Sequence, residues 1–354
     1  MNIKKIKSML GMDSIFLGDY PYTYVRTLYL LRELIKKDEY HKLMKMSLAE
    51  ITRYLEESVY KEEIDKFAVK YNGIALLEHA LHLNTVKCFE KLKRISSRNI
   101  NLVLNAYLKR MDVYNLKTII RGKFTNMPDN EIVELLFPIG TMNMDFLLGL
   151  IKCNTIKDVL VNSGFIDRKD AEKAYKEFDK YRNLFELENI LDKAYYNFLL
   201  SFSKRIRHNG KKFREYIQSE IYANNLLTIL RLKKGLLEKS NTVKYLIFTG
   251  SKKIDSWLVA LADLKSMNEI IEAVGKKDRE MRKALIPIRD ANSIVDIEIA
   301  IKKYLLRKTL LFQNKYPLSM NIVFGYLLGK EVEIRNINLI AKGKQFGIDT
   351  KFLE

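Results

Sequence analysis

A nine-residue pattern occurs three times in this chain at a nearly constant step. Asn115-Leu-Lys-Thr-Ile-Ile-Arg-Gly-Lys123, Asn225-Leu-Leu-Thr-Ile-Leu-Arg-Leu-Lys233 and Asn336-Ile-Asn-Leu-Ile-Ala-Lys-Gly-Lys344 lie 110 and 111 residues apart. A second, unrelated pattern keeps the same phase. Ser47-Leu-Ala-Glu-Ile51, Thr155-Ile-Lys-Asp-Val159 and Ser266-Met-Asn-Glu-Ile270 are offset by 108 and 111 residues. Two independent markers holding one period identify a threefold internal repeat. A period near 110 is too long for a solenoid, whose repeats run to roughly 20–50 residues. It matches a small domain instead.

Each marker has a local meaning. Ser/Thr followed three residues later by an acid reads as a capping box, so a helix starts there in every repeat. After each Asn, the aliphatics Leu116 and Ile119, Leu226 and Ile229, Ile337 and Ile340 share one helical face. The cations that close the pattern suit the negative end of a helix. The neighbouring Gly122, Gly235 and Gly343 are expected to be the left-handed residues that follow one.

At 354 residues the chain exceeds one compact core, and 47% hydrophobic residues suffice for three. Only five Pro and 15 Gly leave long uninterrupted stretches, and no segment alternates apolar and polar residues. The expected fold is all-α, with three similar helical domains around a pseudo-threefold axis. The breaker cluster Thr125 to Asn130 places one boundary, giving domains 1–127, 128–235 and 236–354. Helices are expected from Pro21 to about Lys37, Glu62 to His82, Asn99 to Lys123, Arg168 to Arg207, Val295 to Phe312 and Asn321 to Lys342. Turns are expected at Pro138, Gly140, Pro287 and Pro317.

The net charge of +19 admits nucleic acid, an anionic membrane surface or an acidic protein as partner. The densest basic cluster is Lys204 to Arg214. Lys4, Lys5 and Lys7 precede an apolar stretch that Asp13 interrupts, so no signal peptide is read. No apolar run reaches the length of a membrane span. Cys88 and Cys153 lack metal-type spacing, and two cysteines in this length fit a reducing compartment.

No catalytic, cofactor or metal site emerges. Gly325-Tyr-Leu-Leu-Gly-Lys330 has three residues between its glycines, and Glu331 stands where a phosphate loop needs Ser or Thr. Glycines four apart serve close helix packing instead. His79 and His82 are spaced for one metal, but the zincin Glu is missing, and packed imidazoles explain them.

The segment Phe324-Gly-Tyr-Leu-Leu-Gly-Lys-Glu-Val-Glu-Ile-Arg-Asn-Ile-Asn-Leu-Ile-Ala-Lys-Gly-Lys344 resembles the C-terminal signature of the C subunits of archaeal and bacterial A-type (V/A-type) ATP synthases. Those proteins are relatives of the d subunit of eukaryotic V-ATPases. Asn115 to Lys123 and Asn225 to Lys233 match equivalent segments of that family. Tyr24 to Leu28 resembles its N-terminal helix, with Thr23-Tyr24 in place of the usual Ala-Arg. Arg110 stands where the other copies have Glu220 and Glu331. The resemblance implies a funnel of three helical domains, a monomer within a large complex and without catalytic activity or cofactor. It implies a rotor protein that joins the central-stalk subunits to the cytoplasmic loops of the membrane rotor ring, transmitting torque. It places the chain peripherally at the cytoplasmic face of the cell membrane, with no nucleic-acid partner. Taken with the repeat, it makes Arg121, Lys123, Arg231, Lys233, Lys342, Lys344, Glu331, Arg335 and Asn336 the candidate partner-binding residues. The alternative from charge alone is a basic helical nucleic-acid-binding protein.

Overall fold

All three Ser/Thr markers cap helices. Ser47 Oγ accepts from the Glu50 N–H at 3.3 Å, and the Glu50 carboxylate accepts from the Ser47 N–H at 2.7 Å. Thr155 accepts from the Asp158 N–H at 3.1 Å and Ser266 from the Glu269 N–H at 3.2 Å. Each hydroxyl thereby satisfies a backbone donor that the helix cannot.

The structure, a computed structural model, describes residues 21–207, 210–234, 239–286, 294–315 and 320–347. Lys4, Lys5, Lys7, Asp13, Gly235, Pro287 and Pro317 lie outside these residues. Among the described residues there are helices and no β-strand, so the fold is all-α. The helices fall into three corresponding sets. The first is α1 (Pro21–Arg32), α2 (Lys37–Lys45), α3 (Leu48–Glu56), α4 (Lys61–Ala68), α5 (Gly73–Ile95) and α6 (Arg98–Phe124). The second is α7 (Asp129–Glu134), α8 (Met144–Ile151), α9 (Ile156–Ser163), α10 (Arg168–Tyr181), α11 (Leu184–Ser203) and α12 (Gly210–Lys234). The third is α13 (Lys239–Tyr245), α14 (Lys252–Asp263), α15 (Met267–Lys277), α16 (Arg279–Leu285), α17 (Ile294–Lys315) and α18 (Asn321–Gln345). In each set the capped helix comes third and the long Asn-bearing helix sixth.

Two expected helices divide. The stretch from Arg168 breaks at Arg182, which adopts φ 50°, and Asn183 then caps α11 by accepting from the Phe185 N–H. The stretch from Glu62 breaks before Gly73, whose φ of 56° suits a residue without Cβ. The next helix then runs without pause through Asn84 and Thr85 to Ile95. The glycines after the Asn markers also differ from expectation. Gly122 and Gly343 are buried within helices, and α6 continues to Phe124. A Cβ on Gly122 would sit 2.5 Å from Ile132 Cδ1, so its role is close approach of α7 rather than capping. A Cβ on Gly329 would likewise meet Leu34 at 2.8 Å.

The marker aliphatics explain how the sets join. Leu116 and Ile119 of α6 are buried in a core shared with Ile132, Leu187 and Leu191 of the second set. Leu226 and Ile229 of α12 are buried with Leu258, Ile270 and Ile301 of the third. Ile337 and Ile340 of α18 are buried with Leu43, Ile51 and Leu77 of the first. Each long helix therefore completes the core of the following set, and the last returns to the first. Helix contacts keep the same order: α6 packs on α11, α12 on α17 and α18 on α5. Burying a Leu or Ile side chain is worth about 1.5–3 kcal/mol, so each such helix face is a substantial bond between sets.

Candidate functional site

The Asn markers act as clamps on the chain ahead. Asn115 Nδ2 donates to the Phe137 carbonyl at 2.7 Å, and Asn115 Oδ1 accepts from the Phe137 N–H at 2.7 Å. Asn225 does the same to Ile247, at 2.7 and 2.8 Å. Both pairs span 22 residues. An amide side chain matches the donor and acceptor of one peptide unit, and both Asn are buried where an unpaired backbone group would be costly. Asn336 is half-buried and hydrogen-bonds the Tyr40 side chain instead.

Five residues before each Asn, the three long helices meet. Arg110 of α6 contacts Glu220 of α12 at 3.4 Å and Glu331 of α18 at 3.1 Å. These are equivalent positions of the repeat, and their meeting marks where a pseudo-threefold relation between the helices passes through the protein. Below the charges lies an aromatic cluster. Phe324 packs on Tyr107 at 4.7 Å, Phe213 at 5.1 Å and Tyr216 at 5.3 Å. The Tyr107 and Tyr216 hydroxyls are 3.1 Å apart, and Arg110 donates to the Tyr107 hydroxyl at 2.5 Å.

The cluster sets one guanidinium against two carboxylates in a poorly solvated place. Side-chain exposures are 24% for Arg110, 9% for Glu220 and 23% for Glu331. Burial works against the Arg110 charge, but Glu331, Tyr107 and Glu220 outweigh it and hold the guanidinium protonated. Burial raises both carboxyls above their ordinary range; Arg110 pulls them back only in part. Among the described residues, Glu220 Oε2 and Glu331 Oε1 find no hydrogen-bond donor. A buried cluster of this kind specifies which helices meet more than it stabilises them.

The remaining candidate residues lie further along the same helices. Arg121 makes a two-pronged contact with Glu188, at 2.6 and 2.7 Å. Lys342 contacts Glu78 at 2.7 Å. Glu78 and Glu188 are themselves 110 residues apart, so this is one repeated interaction in which a helix-end cation reaches an acid on the fifth helix of the following set. Arg231 is engaged as well. Arg121 and Lys342 nevertheless keep 57% and 52% of their side chains exposed. Lys123, Lys233, Arg335 and Lys344 are half-buried. The common step of Glu78 and Glu188 was the sequence signal for these pairs, hidden because each acid sits in a different local context.

Residues weighed for other chemistry are committed elsewhere. Lys330 is buried inside α18, 2.8 Å from both Glu333 and the Tyr60 hydroxyl, a place no phosphate reaches. His79 lies on Tyr71 at 4.1 Å, and His82 stacks on Phe137 at 3.8 Å. Burial pushes His82 down to about 4 against a hydrogen bond to the Leu136 backbone, which keeps it neutral at physiological pH. Among the described residues no three His, Cys, Asp or Glu side chains form a group suited to a metal ion. No helix among them is long and apolar enough to cross a membrane. In the basic cluster, Arg214 donates to Ser203 Oγ at 3.1 Å, and Arg205 and Lys212 are also engaged. His208 and Asn209 lie outside the described residues.

Comparison with known proteins agrees with this architecture. The C subunit of the A-type ATP synthase of Methanosarcina acetivorans is 31% identical, over 93% of this chain and 89% of its own. The corresponding C subunits of Methanococcoides burtonii and Haloquadratum walsbyi are 30% and 31% identical, over 95% and 89% of this chain and 93% and 91% of their own. None of these relatives is named for nucleic-acid binding. Residues 26–354 match the profile of the family described as ATP synthase (C/AC39) subunit. A chain matched over that span, with this cyclic arrangement of helices, belongs to the ATP synthase (C/AC39) subunit family.

Proposed function

We propose that this chain is a non-catalytic rotor subunit of an A/V-type rotary ATP synthase or ATPase. On this reading it joins the central-stalk subunits to the cytoplasmic loops of the membrane rotor ring. It turns with both and transmits torque between ion transport and ATP synthesis or hydrolysis. It is peripheral, at the cytoplasmic face of the membrane, and enters the complex as one copy. The observation that carries this reading is the closed cycle of α6 on α11, α12 on α17 and α18 on α5 in a member of this family. A load applied to any one set passes to the next through a buried helix face, which is what a torque-bearing adaptor needs.

The three units, taken as residues 1–127, 128–235 and 236–354, surround the axis through Arg110, Glu220 and Glu331 in a funnel. Arg121, Arg231 and Lys342 then form one ring and Lys123, Lys233 and Lys344 another, with Glu331, Arg335 and Asn336 nearer the axis. The exposed halves of Arg121 and Lys342 leave room for an acid of the stalk beside their in-chain partners.

Two measurements test this. Affinity purification from solubilised membranes should bring down stalk and ring subunits of a rotary ATPase; recovery of neither overturns the function. The triple variant Arg121→Glu, Arg231→Glu and Lys342→Glu should bind isolated stalk subunits at least tenfold more weakly, with Lys4, Lys5 and Lys7 reversal as the control. Unchanged affinity in a variant whose thermal melt shows it folded returns the ring to its role in joining the sets.

A further inference from the structure

The second set contains a cavity of about 590 Å³ between α6, α11 and the turn leading into α10. Met142, Phe165 and Ile166 form a buried apolar floor, and Phe198 stands on the wall. Lys109 enters from α6. Its ammonium lies 4.5 Å from the Phe198 ring and 5.9 Å from the Phe165 ring. Among the described residues no carboxylate pairs with it.

The repeat shows what is missing. Lys109 stands one residue before Arg110, as Lys330 stands one before Glu331, so the two lysines are equivalent. Lys330 is completely provided for. Glu333 lies 2.8 Å away, and the Tyr60 ring covers the ammonium at 4.3 Å. In the second set both partners are lost. The counterpart of Glu333 is Asp112, whose carboxylate instead accepts from the Thr141 N–H, the Thr141 hydroxyl and the Met142 N–H at 2.6–3.1 Å. The counterpart of Tyr60, the residue preceding α4, is Asp167, the residue preceding α10, which is exposed at the cavity rim. The space that a phenol ring and a carboxylate fill beside Lys330 is open beside Lys109. Burial lowers the Lys109 pKa and Asp112 offsets this only in part, so an incoming anion relieves an existing cost.

We propose that this cavity is a binding site for a small aryl carboxylate. Its ring would lie between Phe165 and Phe198, and its carboxylate would meet Lys109, supplying the two groups that Tyr60 and Glu333 supply to Lys330. Lys193 and Asp170 at the rim carry opposite charges, so the interior cation decides the sign of the ligand. The volume is within the range of about 300–1,000 Å³ usual for small-molecule sites.

The test titrates the full-length chain with 3-(4-hydroxyphenyl)propionate and with the corresponding amide, by calorimetry. The carboxylate should bind at one equivalent and at least tenfold more tightly than the amide. Lys109→Met should abolish that preference, and Lys109→Arg should keep most of it. Asp167→Tyr, which rebuilds the ring found in the first set, should abolish binding of both compounds; Asp167 makes no capping bond, so its loss leaves α10 intact. Thermal melts confirm folding of each variant. Equal affinity for acid and amide, a preference surviving in Lys109→Met, undiminished binding in Asp167→Tyr, or no saturable binding at millimolar ligand would each overturn the assignment.

Discussion

Ile35 donates its backbone N–H to the Glu333 carboxylate at 2.5 Å, across 298 residues of chain. The same carboxylate accepts from the Tyr60 hydroxyl and pairs with Lys330, and Lys330 and Glu333 are each only 2% exposed. One side chain of α18 thus holds the lead-in to α2, the turn before α4 and a buried cation.

Removing that carboxylate should have a large and localised effect. Glu333→Ala strands Lys330 in the interior, and breaking a buried pair from one side costs about 3–5 kcal/mol. A lowered urea midpoint is expected, with amide-exchange protection lost first in α2 to α5. Combining Glu333→Leu with Lys330→Met should recover most of the loss; no recovery would mean that the Ile35 and Tyr60 bonds matter more than the ion pair.

The three-helix junction should respond unevenly to its members. Arg110→Met leaves two carboxylates without their cation and is expected to cost about 3–5 kcal/mol. Glu220→Gln leaves a one-to-one pair of Arg110 and Glu331 and should be neutral or stabilising at pH 7. The sign with pH follows from burial. Glu220 is raised above its unfolded value of about 4.5, so the folded state binds the extra proton. Its contribution to stability is fully present below pH 4.5 and is lost as pH rises through the raised value. Denaturation of wild type and Glu220→Gln between pH 4 and 8 should therefore show the variant gaining on wild type as pH rises.

The helix-end pairs should matter far less to folding. Arg121–Glu188 and Lys342–Glu78 are partly exposed, so double-mutant cycles should give about 0.2–1 kcal/mol each, decreasing with salt. Coupling energies above that range would show these contacts to be drier than their exposure indicates.

Gly122→Ala tests the close approach of α7. The new methyl meets Ile132, and overpacking of this kind costs about 1–3 kcal/mol despite alanine's better helix propensity. Pairing it with Ile132→Ala should reduce the penalty below the sum of the two single changes, as measured by chemical denaturation.

Much of the architecture was legible because it is written locally and three times. Ser47, Thr155 and Ser266 cap the helices their own spacing specifies, and the aliphatics after each Asn mark the buried face of α6, α12 and α18. The breaks at Arg182 and Gly73 were not, since each rests on one residue inside a convincing helical pattern. The junction was half visible. Arg110 stood out as the odd member of its position, but its attraction to Glu220 and Glu331 exists only once three distant helices converge. The clamp of Asn115 on Phe137 was hidden for a similar reason: the marker announces a polar residue on a helix, not the peptide unit it will hold. Lys330 misled through its glycines, and only the burial of Tyr60 and Glu333 around it reveals what it is for.

The cyclic order of the cores also bears on biosynthesis. The first core stays unfinished until Ile337, Ile340 and Ala341 arrive from α18. Chains usually fold in the order in which they leave the ribosome. Here the earliest-made segment must wait for one of the last, keeping Leu43, Ile51 and Leu77 without their partner helix through nearly all of translation. Nascent chains stalled before α18 should therefore bind chaperones through their first hundred residues, and release of the finished polypeptide becomes the moment at which the ring locks.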